Sequence, residues 1–109
     1  MATPVLVNGA TGVAETAIFV RGESCDVQAY HLYNGSNALA FVQFFDTAAP
    51  TVGTTVPKWS IGIPTLVHAF MSFPVAGLYF QGGLWVAATT TVGGSSAPSA
   101  ALTVNLAMS

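Results

Sequence analysis

His31, His68 and Cys25 are the side chains here of ligating type, and they stand among few others; each histidine reads as packed among apolar neighbours with one ring nitrogen satisfied. Only six side chains carry charge: Glu15, Arg21, Glu23, Asp26, Asp46 and Lys58. A zinc site needs three or four ligands at close spacing, and Cys25, His31 and His68 are too widely separated to supply that pattern. Asp26 and His31 lie five apart on one expected strand, so the period of two sends them to opposite faces unless a bulge intervenes. Glu15, Glu23 and Asp46 are the acids available for a glycosidase-like carboxylate pair, but no spacing selects two of them. Gly93-Gly94-Ser95-Ser96 lacks the lysine and following helix of a phosphate-binding loop and reads as a turn. Trp59, Tyr79 and Trp85 offer a sugar-stacking platform, set against the plainer reading that the rings fill a core or an interface. These residues give no reason to expect a catalytic centre, a metal or a cofactor.

The elements that would position these residues are short strands. β-branched and aromatic runs recur at roughly ten-residue spacing, closed by Gly, Pro, Asn or Ser. They cover residues 13–21, 24–33, 38–46, 58–63, 65–73, 78–80, 84–91 and 101–108, with a brief run at 4–7. The runs 24–33 and 38–46, separated by Asn34-Gly35-Ser36-Asn37, read as a hairpin. The stretches 47–56 and 92–99 read as loops. In 101–108, Leu102, Val104, Leu106 and Met108 alternate with Ala101, Thr103, Asn105 and Ala107, the clearest strand of all. No window combines helical periodicity with helix-favouring residues. The expectation is an all-β antiparallel sandwich, jelly-roll-like, with about eight short strands. Residues 1–12 are expected as an N-terminal arm or short strand, and 13–109 as a single domain.

Composition constrains the partners. The chain of 109 residues is 52% hydrophobic and 6% charged, with a net charge of −2. A folded chain of this mass exposes roughly 5,700 Å², so charges are too sparse to hold concentrated copies apart. From residue 59 to residue 109 there is no charged side chain. Nucleic acid requires a basic patch, and two isolated cations do not form one. Pro64, Pro74 and the glycines interrupt the apolar stretch 61–80, which argues against a membrane helix there. Residues 1–12 lack the basic and apolar regions of a secretory signal. Cys25 has no disulfide partner and reads as a buried thiol, compatible with synthesis in the cytosol.

Two runs are apolar on both faces. In 38–46, Leu39, Phe41 and Phe45 oppose Val42 and Phe44. In 65–73, Leu66 and Phe70 oppose Val67, Met71 and Phe73. A two-layer sandwich buries one face of each sheet, so the second face needs another cover. A second subunit is expected to supply it, with Phe44, Val42, Val67, Met71, Phe73, Trp59 and Trp85 at the interface.

The stretch Val42-Gln43-Phe44-Phe45-Asp46, Ala49-Pro50-Thr51-Val52-Gly53-Thr54, Val56-Pro57 and Ile61-Gly62-Ile63-Pro64, followed by Gly77-Leu78-Tyr79-Phe80, Gly83-Leu84 and Ala87-Ala88-Thr89-Thr90-Thr91, resembles small virion structural proteins of tailed bacteriophages. That group includes capsid decoration, or cement, proteins. The resemblance spans about residues 27–105 and carries no catalytic residue. It implies a non-enzymatic protein on the outer surface of a phage capsid, made in the host cytoplasm. Its partners would be itself, as a dimer or trimer, and a major capsid protein. A tail or baseplate component, or a host-carbohydrate-binding module, is the alternative it leaves open.

Overall fold

Leu102, Val104, Leu106 and Met108 are buried while Thr103, Asn105 and Ala107 between them are not, the alternation of a strand with one face in the core. The computed structural model describes residues 6–73 and 77–108. Within them run nine strands: β1 (Leu6–Val13), β2 (Ile18–Arg21), β3 (Cys25–Tyr33), β4 (Ala40–Phe45), β5 (Trp59–Ile63), β6 (His68–Ser72), β7 (Leu78–Phe80), β8 (Leu84–Thr89) and β9 (Leu102–Met108). The apolar stretch 61–80 thus supplies strands, and no helix among the described residues is long and apolar enough to cross a membrane.

All pairings are antiparallel. One sheet has the order β1-β9-β3-β6, with β7 also on β3, and the other β2-β8-β4-β5. β6 and β7 lie end to end along β3, opposite residues 29–33 and 25–27. Counted as one interrupted strand, they complete the two four-stranded sheets of an eight-strand jelly roll. The interruption matches a bulge in β3 between Val27 and Ala29. Gly77 has φ 76°, and a Cβ there would sit 2.6 Å from the Val27 carbonyl oxygen, so only glycine fits this close approach.

The core lies between the sheets. Val27, Leu32, Leu102, Val104 and Leu106 from the first meet Val42, Phe44, Ile63, Leu84 and Val86 from the second. Phe44 and Phe80 stack there at 6.2 Å. Cys25 is buried, and burial pushes its thiol pKa up, opposed by Arg21 and reinforced by Asp26, Asp46 and Glu23.

Two expectations are corrected and one left open is narrowed. Residues 24–33 and 38–46 do not form a hairpin, because β3 and β4 belong to different sheets. The buried Asn34 directs the crossing: its amide donates to Ala38 O (2.9 Å) and to Ile63 O (2.7 Å), while its Oδ1 accepts from Ser36 N–H (2.9 Å). Of the arm or short strand expected at residues 1–12, residues 6–12 are strand, β1 pairing with β9 from Leu6 onwards; residues 1–5 lie outside the described residues. Finally, the second face of β4 is covered by the chain itself. Gln43 and Phe45 are fully buried on the side away from the core, with Ala87 and Thr89 beside them. Gln43 Nε2 donates to Thr89 Oγ1 and to Gly94 O, and Gly53 lies against Ser95, so the 46–58 and 90–101 loops close over this sheet.

Candidate functional site

The exposed face of the first sheet gathers the residues of richest chemistry. β6 sets Phe70 opposite His31 and His68 opposite Tyr33, and β9 sets Asn105 on the other side of His31. Asn105 Nδ2 lies 3.1 Å from His31 Nδ1, and His31 Nε2 lies 2.8 Å from His68 Nδ1. With the amide oriented this way and both rings neutral, the donors form one chain. The Asn105 amide donates to His31, and the His31 Nε2–H donates to His68. The His31–His68 bond cannot survive protonation of both rings, which would set two N–H groups face to face.

Ring stacking organises the same face. His31 lies 4.7 Å from Phe70 and 5.1 Å from His68, and Tyr33 lies 4.4 Å from His68. Beside them is an open depression of about 520 Å³, bordered by His31, Phe70 and Asn105, with the small residues Ala29, Ser72 and Ala107 along it. Tyr30 OH reaches Met71 Sδ at 3.6 Å, and burial raises the Tyr30 pKa. The dish offers aromatic surface, an amide and imidazole nitrogens, groups that can stack on a ligand and hydrogen-bond to it. Among the described residues no three His, Cys, Asp or Glu side chains are grouped to hold a metal ion.

The expected interface residues divide into three sets. Val42 and Phe44 are corrected: both are 0% exposed between the sheets and unavailable to a partner, because loop cover reverses which face of β4 is which. Val67, Met71 and Phe73 are brought together along β6, where Val67 and Met71 remain exposed and Phe73 half-buried. Trp59 is exposed at the start of β5, whereas Trp85 is half-buried with its ring edge-on to Phe19 at 5.3 Å. Trp59, Tyr79 and Trp85 do not assemble into one stacking platform. Trp85 is on the outer side of the second sheet, and Tyr79 belongs to β7 of the first.

The bulge in β3 also overrides strict alternation. Cys25 and Val27 point inward before it and Leu32 after it, so Asp26 and His31 share the outward side. They remain apart, Asp26 opposite Tyr79 and His31 opposite Phe70. Asp46 has a structural setting: it accepts from Gln81 N–H (3.0 Å) and Gly82 N–H (2.7 Å) and lies 3.5 Å from Lys58 Nζ. Burial alone would raise its pKa, but the two amides and Lys58 outweigh that and lower it. Sequence reasoning missed the His31–His68 contact, which joins residues 37 apart through the β3–β6 pairing. No known protein family, curated protein or solved structure matches the chain.

Proposed function

We propose that this chain is a structural protein of a bacteriophage particle, a decoration protein that binds the assembled capsid and holds it closed. The observation carrying this reading is the margin of the first sheet at β6, uncharged and apolar, with Phe70, Met71, Leu66 and Val67 all exposed. Such a surface is suited to covering by protein. The jelly roll recurs in viral capsid domains, which agrees with the reading while leaving function open on its own. Binding only to the closed shell stabilises that shell by mass action, and many copies add their contributions. The protein's partners are then itself and a major capsid protein.

The test compares particles depleted of the protein, wild-type particles and depleted particles with purified protein restored. Depleted particles are expected to release their genome at lower temperature, and restoration to recover the wild-type value without metal or cofactor. Equal release temperatures in all three refute the decoration role. The depression beside His31, Phe70 and Asn105 favours a second reading, a tail or baseplate module that binds host carbohydrate, since sugars dock through ring stacking and amide hydrogen bonds. Copy number per particle separates the two: a shell protein is present in far more copies than a tail-tip binder.

A further inference from the structure

The sheets of this sandwich end in open edges, and the edges are unequally protected. β1 pairs regularly with β9 from Leu6 to Ala10 and shifts register only between Ala10 and Val13. β2 is four residues long, shifts register between Phe19 and Arg21, and carries a cation. β5 lies between Pro57-Lys58 and Pro64, and the Asn34 amide donates to its Ile63 carbonyl. β7 has three residues, and Lys58 Nζ donates to its Tyr79 carbonyl. Charge, proline, bulges and brevity are the devices by which sheets avoid edge-to-edge association. β6, with the sequence His68-Ala69-Phe70-Met71-Ser72, has no charge, proline or register shift.

The direction of its free backbone groups follows from the bonds on its other side. Phe73 N–H donates to Gln28 O (2.8 Å), and Asn34 N–H donates to Val67 O (3.2 Å). Odd-numbered residues of this stretch therefore address β3. The N–H and C=O groups of His68, Phe70 and Ser72 point away from the sheet. The side chains are uncovered too. Phe70 is 72% exposed, and Met71, although its side chain is on the core side, is still 46% exposed. β6 therefore overhangs the second sheet.

The geometry points to β6 as the site where two copies of this chain pair, antiparallel, about a two-fold axis at Phe70. This deepens the reading of the chain as a self-assembling protein and rests on it. Antiparallel pairing centred there makes Phe70 of each copy exchange both backbone hydrogen bonds with the other, and places His68 against Ser72 of the second copy. On the opposite side of the extended sheet it places Ala69 against Met71 of the second copy, and Val67 against Phe73 of the second copy. The segment is thus complementary to itself, as an isologous interface requires. Its neutrality argues for a second copy in particular. No charge lies on β6 to repel its twin, and a charged partner would find nothing to pair with. Exposed side chains from Leu66 to Phe73 present roughly 500 Å² per copy, so mutual burial nears the lower bound of about 1,200 Å² for a specific interface.

The experiment is analytical ultracentrifugation of the purified chain and its variants across the micromolar range, with thermal melts alongside. The wild type is expected to approach the mass of two 11.2 kDa chains. Phe70→Pro deletes an N–H that points away from β3, and Phe70→Lys puts a charge at the axis. Each should keep its secondary structure and weaken pairing by about thirtyfold or more, the loss typical of a central aromatic anchor. Met71→Pro, which deletes a hydrogen bond to β3, should unfold the chain instead. Phe70→Cys should form a disulfide-linked dimer when diamide takes up two electrons and two protons from the two thiols, while the wild type, with only the buried Cys25, should not. A monomer at every concentration overturns the pairing, yet leaves the genome-release comparison to decide the particle role independently. A dimer that Phe70→Lys and Phe70→Pro leave intact also overturns it, by assigning association to another face.

Discussion

Replacing Asn34 by alanine tests whether one buried amide holds the crossover between the sheets. Asn34 is 0% exposed. Removing its side chain leaves Ala38 O with Ser36 Oγ at 3.0 Å, but takes from Ile63 O its Asn34 donor and from Ser36 N–H its Asn34 acceptor. Each buried polar group left without a partner costs about 1–3 kcal/mol, so Asn34→Ala should destabilise by about 2–6 kcal/mol. That is a large share of the roughly 5–15 kcal/mol available to a domain of this size. Urea unfolding should show a lower midpoint with an unchanged slope, since the surface exposed on unfolding stays the same. Asn34→Asp sharpens the test. Its carboxylate cannot donate, and it would set oxygen against Ala38 O and Ile63 O where the amide now donates at 2.9 and 2.7 Å. It should therefore be less stable than Asn34→Ala at neutral pH, and recover in acid once protonated. A loss under about 0.5 kcal/mol for Asn34→Ala, the range of ordinary surface substitutions, would refute the argument, as would an aspartate variant more stable than the alanine one.

Val104→Asp and Phe44→Asp should both abolish folding, since each buries an unpaired carboxylate at a site 2% and 0% exposed; a native-like circular dichroism melt for either would remove it from the core. Asp46→Asn should flatten the acid limb of stability. The native pKa of Asp46 is lowered, so its contribution is present above the unfolded carboxylate value of about 4 and is lost as pH falls through the native value. Parallel acid titrations of wild type and variant below about pH 4 would show that Asp46 contributes nothing.

Strands were legible where alternation was clean. The pattern of 101–108 gives β9 almost to the residue, and 78–80 coincides with β7. The covering of a strand was not legible. The runs 38–46 and 65–73 look alike in sequence, each apolar on both faces, and the same inference about a second cover applied to both. β4 obtains that cover from loops distant in sequence, through Gln43 with Gly94 and Gly53 with Ser95. β6 lies outside their reach at the margin of the other sheet. Alternation is a local property, whereas cover depends on which sheet a strand joins. The exposed site fails for the same reason: His31 and His68 are distant in the chain, and a bulge shifts the face on which His31 stands.

The placement of the two cations bears on which edge is left open. Arg21 lies on β2, paired with Glu23 at 3.5 Å, and Lys58 stands beside β5 and bonds the β7 carbonyl of Tyr79. Copies of one chain meeting about a two-fold axis bring identical residues together. Contact through β2 would bring Arg21 towards Arg21, and contact through β5 or β7 would bring Lys58 towards Lys58. Like charges forced together cost several kcal/mol at an interface. With a net charge of only −2, long-range repulsion is weak, and selection among orientations falls to such short-range encounters. β1 has no cation, and its register shifts only at one end, between Ala10 and Val13. Two positive charges therefore disfavour self-contact at the β2, β5 and β7 margins, while β6 has neither charge nor register shift. On the proposed pairing through β6, a chain this poor in charge would still be steered away from self-contact at the margins that carry Arg21 and Lys58.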